Sequence, residues 1–237
     1  MYSYDITTPT PHFPFDVAKG NISGSKAVNI FGFNRTIGTA FETIWDDGGN
    51  YTFLASAVQM TAVSTSANDT MDVLISGLDA NYNEISEAVT LTGTVAVTTT
   101  ASFLRINSAI ILAGSNVGSI TIANSGTTYG FIGATLGTTQ SSVYTVPAGY
   151  SLYLFRIDVT SGTNNGQKYL TFRNVVSTST GRTLRVAEAT FATSQVSFDR
   201  QVPFKIGEKS DFHFEAKSSS SENEVSIFIE AVLVKNP

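Results

Sequence analysis

The residues of this chain that could do chemistry are few, and the search begins with its histidines. The sequence has 2 histidines and no cysteine, which excludes a thiol nucleophile and a thiolate metal site. His12 lies in a proline-rich segment, where no rigid scaffold holds it beside a nucleophile as a triad requires. On a strand, Asp211, His213 and Glu215 would share one face. They could ligate a metal or serve a small hydrolase, but alternation alone predicts a solvated face opposite a core face, and we favour that interpretation.

A second candidate is the stretch SGLDANYNEISEAVTL. Asp79, Asn81 and Asn83 alternate there like the first ligands of a calcium loop. A calcium loop that starts at Asp79 needs glycine at its sixth position and a bidentate glutamate at its twelfth, but Glu84 and Thr90 occupy those positions. The flanks are strand-like rather than helical. We therefore predict a β-hairpin whose Asp and Asn side chains bond the loop backbone.

Loop oxygens and aromatic rings offer two further candidates. The run Asp46-Asp47-Gly48-Gly49 could help to bind a hard cation, but the same residues suit a tight turn, and we predict a turn. Aromatic side chains could form a platform for sugars, although aromatics scattered over strands more often belong to a core or an interface. The candidates for such a platform are Trp45, Tyr51, Tyr82, Tyr150 and Tyr153.

The motifs that usually mark catalysis or nucleotide binding do not occur in the sequence. It contains no G-x-S-x-G elbow, P-loop, H-E-x-x-H or G-x-G-x-x-G run, each of which would place a nucleophile, a metal or a phosphate. We therefore expect no catalytic residues, no metal site and no cofactor.

The composition favours strands and turns over helix surfaces. Charged residues make up 14% of the chain, against about 25% in a typical domain, and Thr, Ser, Asn and Gly replace them. The net charge is −5 and no basic block occurs, so the electrostatic footprint of a nucleic-acid-binding protein is missing. No apolar run approaches the roughly 18 residues of a transmembrane helix. We expect neither nucleic acid nor a membrane as a partner.

The first 25 residues differ from the rest of the chain. Pro9, Pro11 and Pro14 are interleaved with aromatic residues. Because proline fixes φ and removes a donor, we predict an extended arm over residues 1–25. Such an arm lies either on its own domain or on a neighbouring subunit. Its capsid or subunit contacts would be made by the aromatics Tyr2, Tyr4, Phe13 and Phe15.

Beyond the arm, short apolar runs alternate with turn residues, which indicates an all-β protein. SGTTYG at residues 125–130 is interpreted as a linker where the pattern restarts. We therefore predict two consecutive jelly-roll-like β-sandwich domains, at residues 26–125 and 126–237. The strands predicted for the first domain lie at residues 28–33, 40–45, 57–63, 72–78, 85–91, 103–112 and 119–123.

Two details of this assignment depend on local chemistry. FLRINSAIIL at residues 103–112 fits either a strand or a short helix, and its β-branched content favours a strand. In the second domain, VPAGY predicts a tight turn that leads into a long strand at residues 150–160. The runs GTNNG at residues 162–166 and STSTG at residues 177–181 predict hairpin turns.

Several phrases of the sequence resemble a known class of proteins. GFNRTIGTAFETIWDDGGNYTF, SGLDANYNEISEAVTLTG, FLRIN and YTVPAGYSLYL are similar to segments of virion structural proteins of tailed phages, especially marine ones. The resemblance covers most of residues 28–160. It implies a location in the virion, no enzyme, and no catalytic residues to carry over.

These observations lead to an expected function. We expect a non-enzymatic capsid decoration or cement protein on the capsid surface, which binds the major capsid protein and copies of itself as a homotrimer. The chain is short and has no low-complexity fibre shaft, which favours this role over a long tail fibre. The alternative is a head-fibre or tail-associated module that binds a receptor or a glycan on the host surface.

Overall fold

A computed structural model describes residues 13–162, 169–220 and 223–237. Within these ranges the chain forms one short helix and sixteen strands, so the all-β prediction is confirmed. In chain order the elements are α1 (Phe13–Ala18), β1 (Ser25–Ile37), β2 (Glu42–Thr43), β3 (Val58–Ser64), β4 (Asp72–Leu78), β5 (Glu84–Thr90), β6 (Val97–Phe103), β7 (Arg105–Ile111), β8 (Ile120–Asn124), β9 (Thr127–Ile132), β10 (Tyr144–Thr145), β11 (Tyr150–Ser161), β12 (Leu170–Ser177), β13 (Thr183–Phe191), β14 (Gln195–Ile206), β15 (Asp211–Ser218) and β16 (Asn223–Lys235).

Both ends of the chain build the first sandwich, named the flanking sandwich. One of its sheets has the strand order β1-β16-β11-β14, and the other has the order β10-β15-β12-β13 with β2 beside β15. The inward faces of the two sheets share one apolar core, because side chains alternate across each strand. On β16, for example, Val225, Ile227 and Ile229 are buried, whereas Phe228 and Glu230 are exposed.

The second sandwich, named the inserted sandwich, contains β3 to β9. Its sheets have the orders β6-β3-β8-β9 and β5-β4-β7. Its core is a separate cluster of apolar residues that includes Met60, Ile75, Phe103, Ile120 and Ile122. In sequence this sandwich lies between β2 and β10, so the chain leaves the flanking sandwich, completes the inserted one and returns.

The strand pairing differs from the predicted grouping of residues 26–125 and 126–237. β1 pairs with β16 from Ser25 opposite Val234 onward, so the first long strand belongs to the same sheet as the last. The predicted linker at residues 125–130 is a hairpin instead, and β9 follows it directly. Ser125 and Gly126 have φ of 49° and 81°, which is the left-handed pair that a two-residue turn requires. The division into independently folding domains stays a prediction.

The helix α1 corrects part of the predicted arm. Residues 13–18 are helical, so the prediction of extended chain is wrong over this stretch. Proline at position 14 is tolerated because the first four N–H groups of a helix have no partner within it. Of the predicted arm, residues 1–12 lie outside the described residues.

The other local predictions fare unequally. FLRINSAIIL is a strand, β7, preceded by the last residue of β6. The predicted strand at residues 40–45 shrinks to β2, since Ile44 and Trp45 are buried at the start of a turn instead. The turns at VPAGY and STSTG are confirmed by the bonds from Tyr150 N–H to Pro147 O and from Gly181 N–H to Thr178 O. The predicted turn at residues 162–166 lies almost entirely outside the described residues.

Candidate contact surface

A buried ion pair joins the two sandwiches. Arg105, at the start of β7, donates from Nε to Asp211 Oδ1 at 2.7 Å and from Nη2 to Oδ2 at 2.8 Å. Its Nη1 donates to the carbonyl oxygens of Leu54 and Leu104, and Thr145 Oγ1 donates to Asp211 at 2.6 Å. Burial lowers the pKa of Arg105, but the hydrogen bonds and charge of Asp211 outweigh burial and raise it. Both charges are thus fully paired, as buried charges must be.

The predicted hairpin at Asp79 is confirmed, with β4 and β5 as its strands. Asp79 Oδ1 accepts the N–H groups of Asn81 at 2.7 Å and Asn83 at 2.9 Å. Burial raises the pKa of Asp79, but the bonds from the Asn83 side chain and from the two N–H groups outweigh burial and lower it. The carboxylate therefore closes the loop that the calcium-like spacing marked.

This loop also reaches the joint between the sandwiches. Tyr82 has φ of 65°, and its ring lies 5.8 Å from the guanidinium carbon of Arg105. Its carbonyl oxygen accepts the N–H of Ala148 from the flanking sandwich at 2.9 Å. Phe53 lies 5.1 Å from the same guanidinium. The two rings shield the Arg105–Asp211 pair from solvent.

The face of β15 that the sequence predicts to be solvated is largely buried. His213 Nε2 lies 3.1 Å from Glu215 Oε1, and Arg173 Nε donates to Glu215 Oε2 at 2.6 Å. The hydrogen bond from His213, aided by Arg173, lowers the pKa of Glu215 although burial opposes it. The ring centroid of Phe41 lies 3.6 Å from the Arg173 guanidinium, and the Phe53 ring lies 5.8 Å from the His213 ring at an interplanar angle of 54°. The prediction failed because Phe41, directly before β2, and Phe53, between β2 and β3, pack over this face.

Two of the five aromatics proposed for a sugar platform belong to the interior. Trp45 and Tyr51 are buried, with ring centroids 5.1 Å apart in an edge-to-face arrangement. The turn predicted beside them is confirmed by the bond from Thr43 N–H to Gly49 O at 3.0 Å. Asp46 in this turn accepts from Arg35 at 3.0 Å, so its carboxylate is engaged by a side chain.

Tyr82 of that set lies at the joint beside Arg105, and the last two aromatics are half-buried beside lysines. The Nζ of Lys26 lies 5.4 Å from the ring centroid of Tyr150, and the Nζ of Lys205 lies 6.0 Å from that of Tyr153. Within the described ranges, no group of three or more His, Asp or Glu side chains is arranged to hold a metal ion. The described residues also contain no helix that is long and apolar enough to cross a membrane.

Of the four predicted contact residues, two lie in α1 and two lie outside the described residues. Phe13 is 43% exposed and Phe15 is 56% exposed, whereas Val17 is only 3% exposed. Val17 therefore anchors α1, and the two phenylalanines face solvent. Lys19 Nζ lies 4.5 Å from the Phe15 ring centroid. Tyr2 and Tyr4 lie in the part of the chain that the structure does not describe.

An aromatic pair that sequence reasoning missed lies on the outer face of the β1-β16-β11-β14 sheet. Phe31 and Phe228 are direct partners across β1 and β16, and they are 40% and 38% exposed. Ala18 of α1 lines a cavity of about 260 Å³ with Asn29 and Glu230, whose side chains lie on the same face. The helix and the aromatic pair thus share one side of the molecule. Phe13, Phe15, Phe31 and Phe228 are together named the aromatic surface.

A polar groove runs between the two sandwiches beside β1. One part, of about 420 Å³, has residues 27–31 as one wall and Tyr144 on the other. A second part, of about 440 Å³, shares Tyr144 and continues toward Lys26 and Glu84. Lys26 Nζ donates to Glu84 at 2.5 Å, and this hydrogen bond raises the pKa of Lys26 against the effect of burial.

The comparisons with known proteins show only a weak likeness. No family model and no curated protein matches the chain. A structure of the infectious bursal disease virus VP2 subviral particle is 10% identical, over 89% of this chain and 72% of that one, with a TM-score of 0.26. A structure of the Gt strain of infectious bursal disease virus is 10% identical, over 90% and 77% of the two chains, with a TM-score of 0.22. TM-scores this low support no inference about the fold or function of this chain.

Proposed function

We propose that this chain is a non-enzymatic virion structural protein, and within that class a capsid decoration or cement protein. It binds the major capsid protein and further copies of itself as a homotrimer on the capsid surface. The proposal combines the phrases that resemble structural proteins of tailed phages with the surface that the chain exposes to a partner.

The observation that carries the proposal is the aromatic surface. Large aromatic side chains at the centre of a contact supply much of its binding energy. Phe31 and Phe228 lie side by side on a sheet face, and Phe13 and Phe15 are exposed on the helix α1, which lies beside that face. Four exposed phenylalanines on one side of a chain with 16 in total are more than scattered surface residues.

The joint between the sandwiches supports a role in linking capsid subunits. The Arg105–Asp211 pair, the Tyr82–Ala148 bond and the two bonds between Asn107 and Thr145 all cross it. A rigid two-sandwich body keeps its contact surfaces at a fixed distance, which a protein that links capsid subunits needs. Such rigidity is available without disulfides in this cysteine-free chain.

The alternative, a receptor- or glycan-binding module, loses part of its support. Trp45 and Tyr51 are buried, so they cannot stack on a sugar. Its remaining support is the half-buried Tyr150 and Tyr153 and the polar groove with Tyr144 on its wall.

A binding assay tests the proposed function. Purified chain is added to capsids of the same virus that lack it, and the bound fraction is measured by co-sedimentation. The Phe13→Ser/Phe15→Ser variant should bind at least about tenfold more weakly, because each buried phenylalanine contributes about 1.5–3 kcal/mol to a contact. The matched control is Val202→Ser, which removes an apolar side chain that is 82% exposed.

Three outcomes decide the matter. Saturable binding that the double variant loses and the control keeps supports the proposal. Equal binding by all three proteins contradicts the assignment of the aromatic surface. No binding by the unaltered chain removes the capsid function, and the same protein is then assayed on host surface glycans.

A further inference from the structure

A buried asparagine in the core of the flanking sandwich has no hydrogen-bond partner among the described residues. Asn174 of β12 is 3% exposed, and neither Oδ1 nor Nδ2 of its side chain is bonded within the ranges that the structure describes. Leaving a buried amide unbonded is costly, and the large majority of buried polar side-chain atoms in folded proteins have a partner. The side chain of Asn174 therefore calls for a partner of another kind.

A second buried asparagine shows how the chain satisfies such a side chain elsewhere. Asn116, which is 1% exposed, donates from Nδ2 to the carbonyl oxygens of Gly118 at 2.7 Å and Gly133 at 2.8 Å. Its Oδ1 accepts the N–H of Gly137 at 3.1 Å. Protein groups thus satisfy the whole amide of Asn116, whereas most of the side chains around Asn174 are apolar.

Asn174 lines a small cavity at the open side of the flanking sandwich, where β13 and β14 are the edge strands of the two sheets. The cavity measures about 10 Å³, and roughly 10–15 Å³ is the least that holds one water molecule. Arg200 is exposed, so its end of the cavity lies toward solvent. The rest of the lining comes from β11, β13 and β14, namely Leu154, Ile157, Val186, Ala187 and Phe204.

Two interruptions of strand pairing border the same cavity. The β12–β13 ladder shifts register directly after Asn174, so that Val186 of β13 is an extra residue. The β11–β14 ladder shifts register after Leu154, and residues 200–203 of β14 bulge there. An extra residue is left out of the ladder with its backbone groups, and Val186 and Arg200 both line the cavity. Backbone polar groups without a ladder partner thus lie beside the cavity on both sheets.

The chemistry of the Asn174 side chain selects a neutral ligand that both donates and accepts hydrogen bonds. A cation would engage Oδ1 alone and an anion would engage Nδ2 alone, so either ion leaves half of the amide unbonded. The positive charge of Arg200 at the exposed end of the cavity further disfavours a cation. A single water molecule is able to accept from Nδ2 and donate to Oδ1 of the same planar amide, and it fits the volume.

We propose that Asn174 binds one buried water molecule, which links the two sheets of the flanking sandwich at their open side. The water bonds the Asn174 amide, and its remaining bonds go to backbone groups at residues 186 and 200–203. A buried water typically makes about three hydrogen bonds, so these groups complete its shell. The site is independent of the proposed function, because it lies inside the sandwich.

Nuclear Overhauser spectroscopy of the full-length chain, labelled with ¹⁵N-asparagine, tests the site. A bound water gives a cross-peak between the water resonance and the Nδ2 protons that it contacts. We expect this cross-peak at Asn174 and none at Asn116, the matched control whose amide is satisfied by protein groups. The rotating-frame experiment separates the contact from proton exchange, because exchange peaks keep the sign of the diagonal and contact peaks reverse it.

A second measurement counts the buried waters. Oxygen-17 relaxation dispersion reports how many water molecules the protein holds for longer than they tumble in bulk. Asn174→Leu, which has a side chain of similar size without polar atoms, should hold one water fewer than the unaltered chain. Asn81→Leu, at an exposed position, should hold the same number. A circular dichroism melt first checks that both variants fold, and if Asn174→Leu does not, the cross-peak of the unaltered chain decides alone.

The outcomes are as follows. A cross-peak at Asn174, together with the loss of one water in Asn174→Leu, supports the site. The lack of a cross-peak at Asn174 overturns it, as does an unchanged number of waters in a folded Asn174→Leu variant. Cross-peaks of equal strength at Asn174 and Asn116 also overturn it, because they would show that water enters both cores without a specific site.

Discussion

Asp69 shows how single polar residues serve the fold of this chain. It is fully buried and accepts hydrogen bonds from Ser64 Oγ at 2.5 Å, Val117 N–H at 2.7 Å and Gly118 N–H at 2.9 Å. Burial raises the pKa of Asp69, but these three bonds outweigh burial and lower it from the ordinary value of 3.8. One carboxylate thereby holds the loop after β3 against the loop before β8.

The lowered pKa of Asp69 predicts a pH dependence of stability. A depressed pKa in the folded state gives stability that is fully present above the unfolded value of 3.8 and is lost as the pH falls through the folded-state pKa. Between pH 7 and pH 3, Asp69→Asn should therefore lose less free energy of unfolding than the unaltered chain does. Urea titrations at the two pH values measure this. Asp199→Asn, at an exposed carboxylate, is the control, and an unchanged pH dependence in Asp69→Asn contradicts the prediction.

The Arg105–Asp211 pair predicts a large loss of stability. Asp211→Asn leaves a buried guanidinium without its counter-charge, which costs about 3–5 kcal/mol of free energy of unfolding. Glu84→Gln removes one partner of the exposed Lys26–Glu84 pair and should cost no more than about 1 kcal/mol. Chemical denaturation of both variants compares them, and similar losses would show that the joint is not held by this pair.

Residue roles were predictable from the sequence where the partners are close along the chain. The hairpin at Asp79 followed from the residues at positions 84 and 90, because a calcium loop makes local demands. The partner of Asp211 is Arg105, 106 residues away, and no local pattern connects them. For the same reason the burial of His213 and Glu215 could not be foreseen, since the residues that cover them precede β3.

At the scale of elements, period-two alternation predicted most strands, and turns caused the errors. β3, β4, β5 and β8 lie within a residue of the predicted runs. The run at residues 40–45 alternates because it buries side chains in a turn. A run this short does not distinguish a strand from a turn with buried side chains. SGTTYG contains both the turn and the start of β9, and its Ser, Gly and Thr content suits either a linker or a hairpin.

The close packing of β4 against β7 gives a prediction at the scale of elements. A Cβ added at Gly77 of β4 would lie 2.0 Å from the carbonyl oxygen of Arg105, at a register shift between β4 and β7. Gly77→Ala should therefore lower the free energy of unfolding by about 1–3 kcal/mol or more, since backbone must move to relieve the clash. Ser76→Ala, its neighbour on β4, should change it by much less. A thermal melt of the two variants measures the difference, and equal melting temperatures contradict the prediction.

At the scale of the whole molecule, the class of fold was predictable and the connection of its sheets was not. Low charge, β-branched residues and turn signals indicated an all-β sandwich protein. The pairing of β1 with β16 joins residues about 200 positions apart. No local sequence pattern indicates which distant strands pair with each other. The inserted sandwich therefore appeared to begin at the arm and to end at residue 125.

The two-sandwich body exposes its aromatic surface on one side, and the central claim is that this side contacts a capsid. A reconstruction of intact particles of the virus that is proposed to carry the chain tests this most directly. We predict density for both sandwiches on the outside of the shell, with Phe13, Phe15, Phe31 and Phe228 in contact with neighbouring subunits. Particles that lack the chain, or that carry it with these side chains facing solvent, would contradict the account.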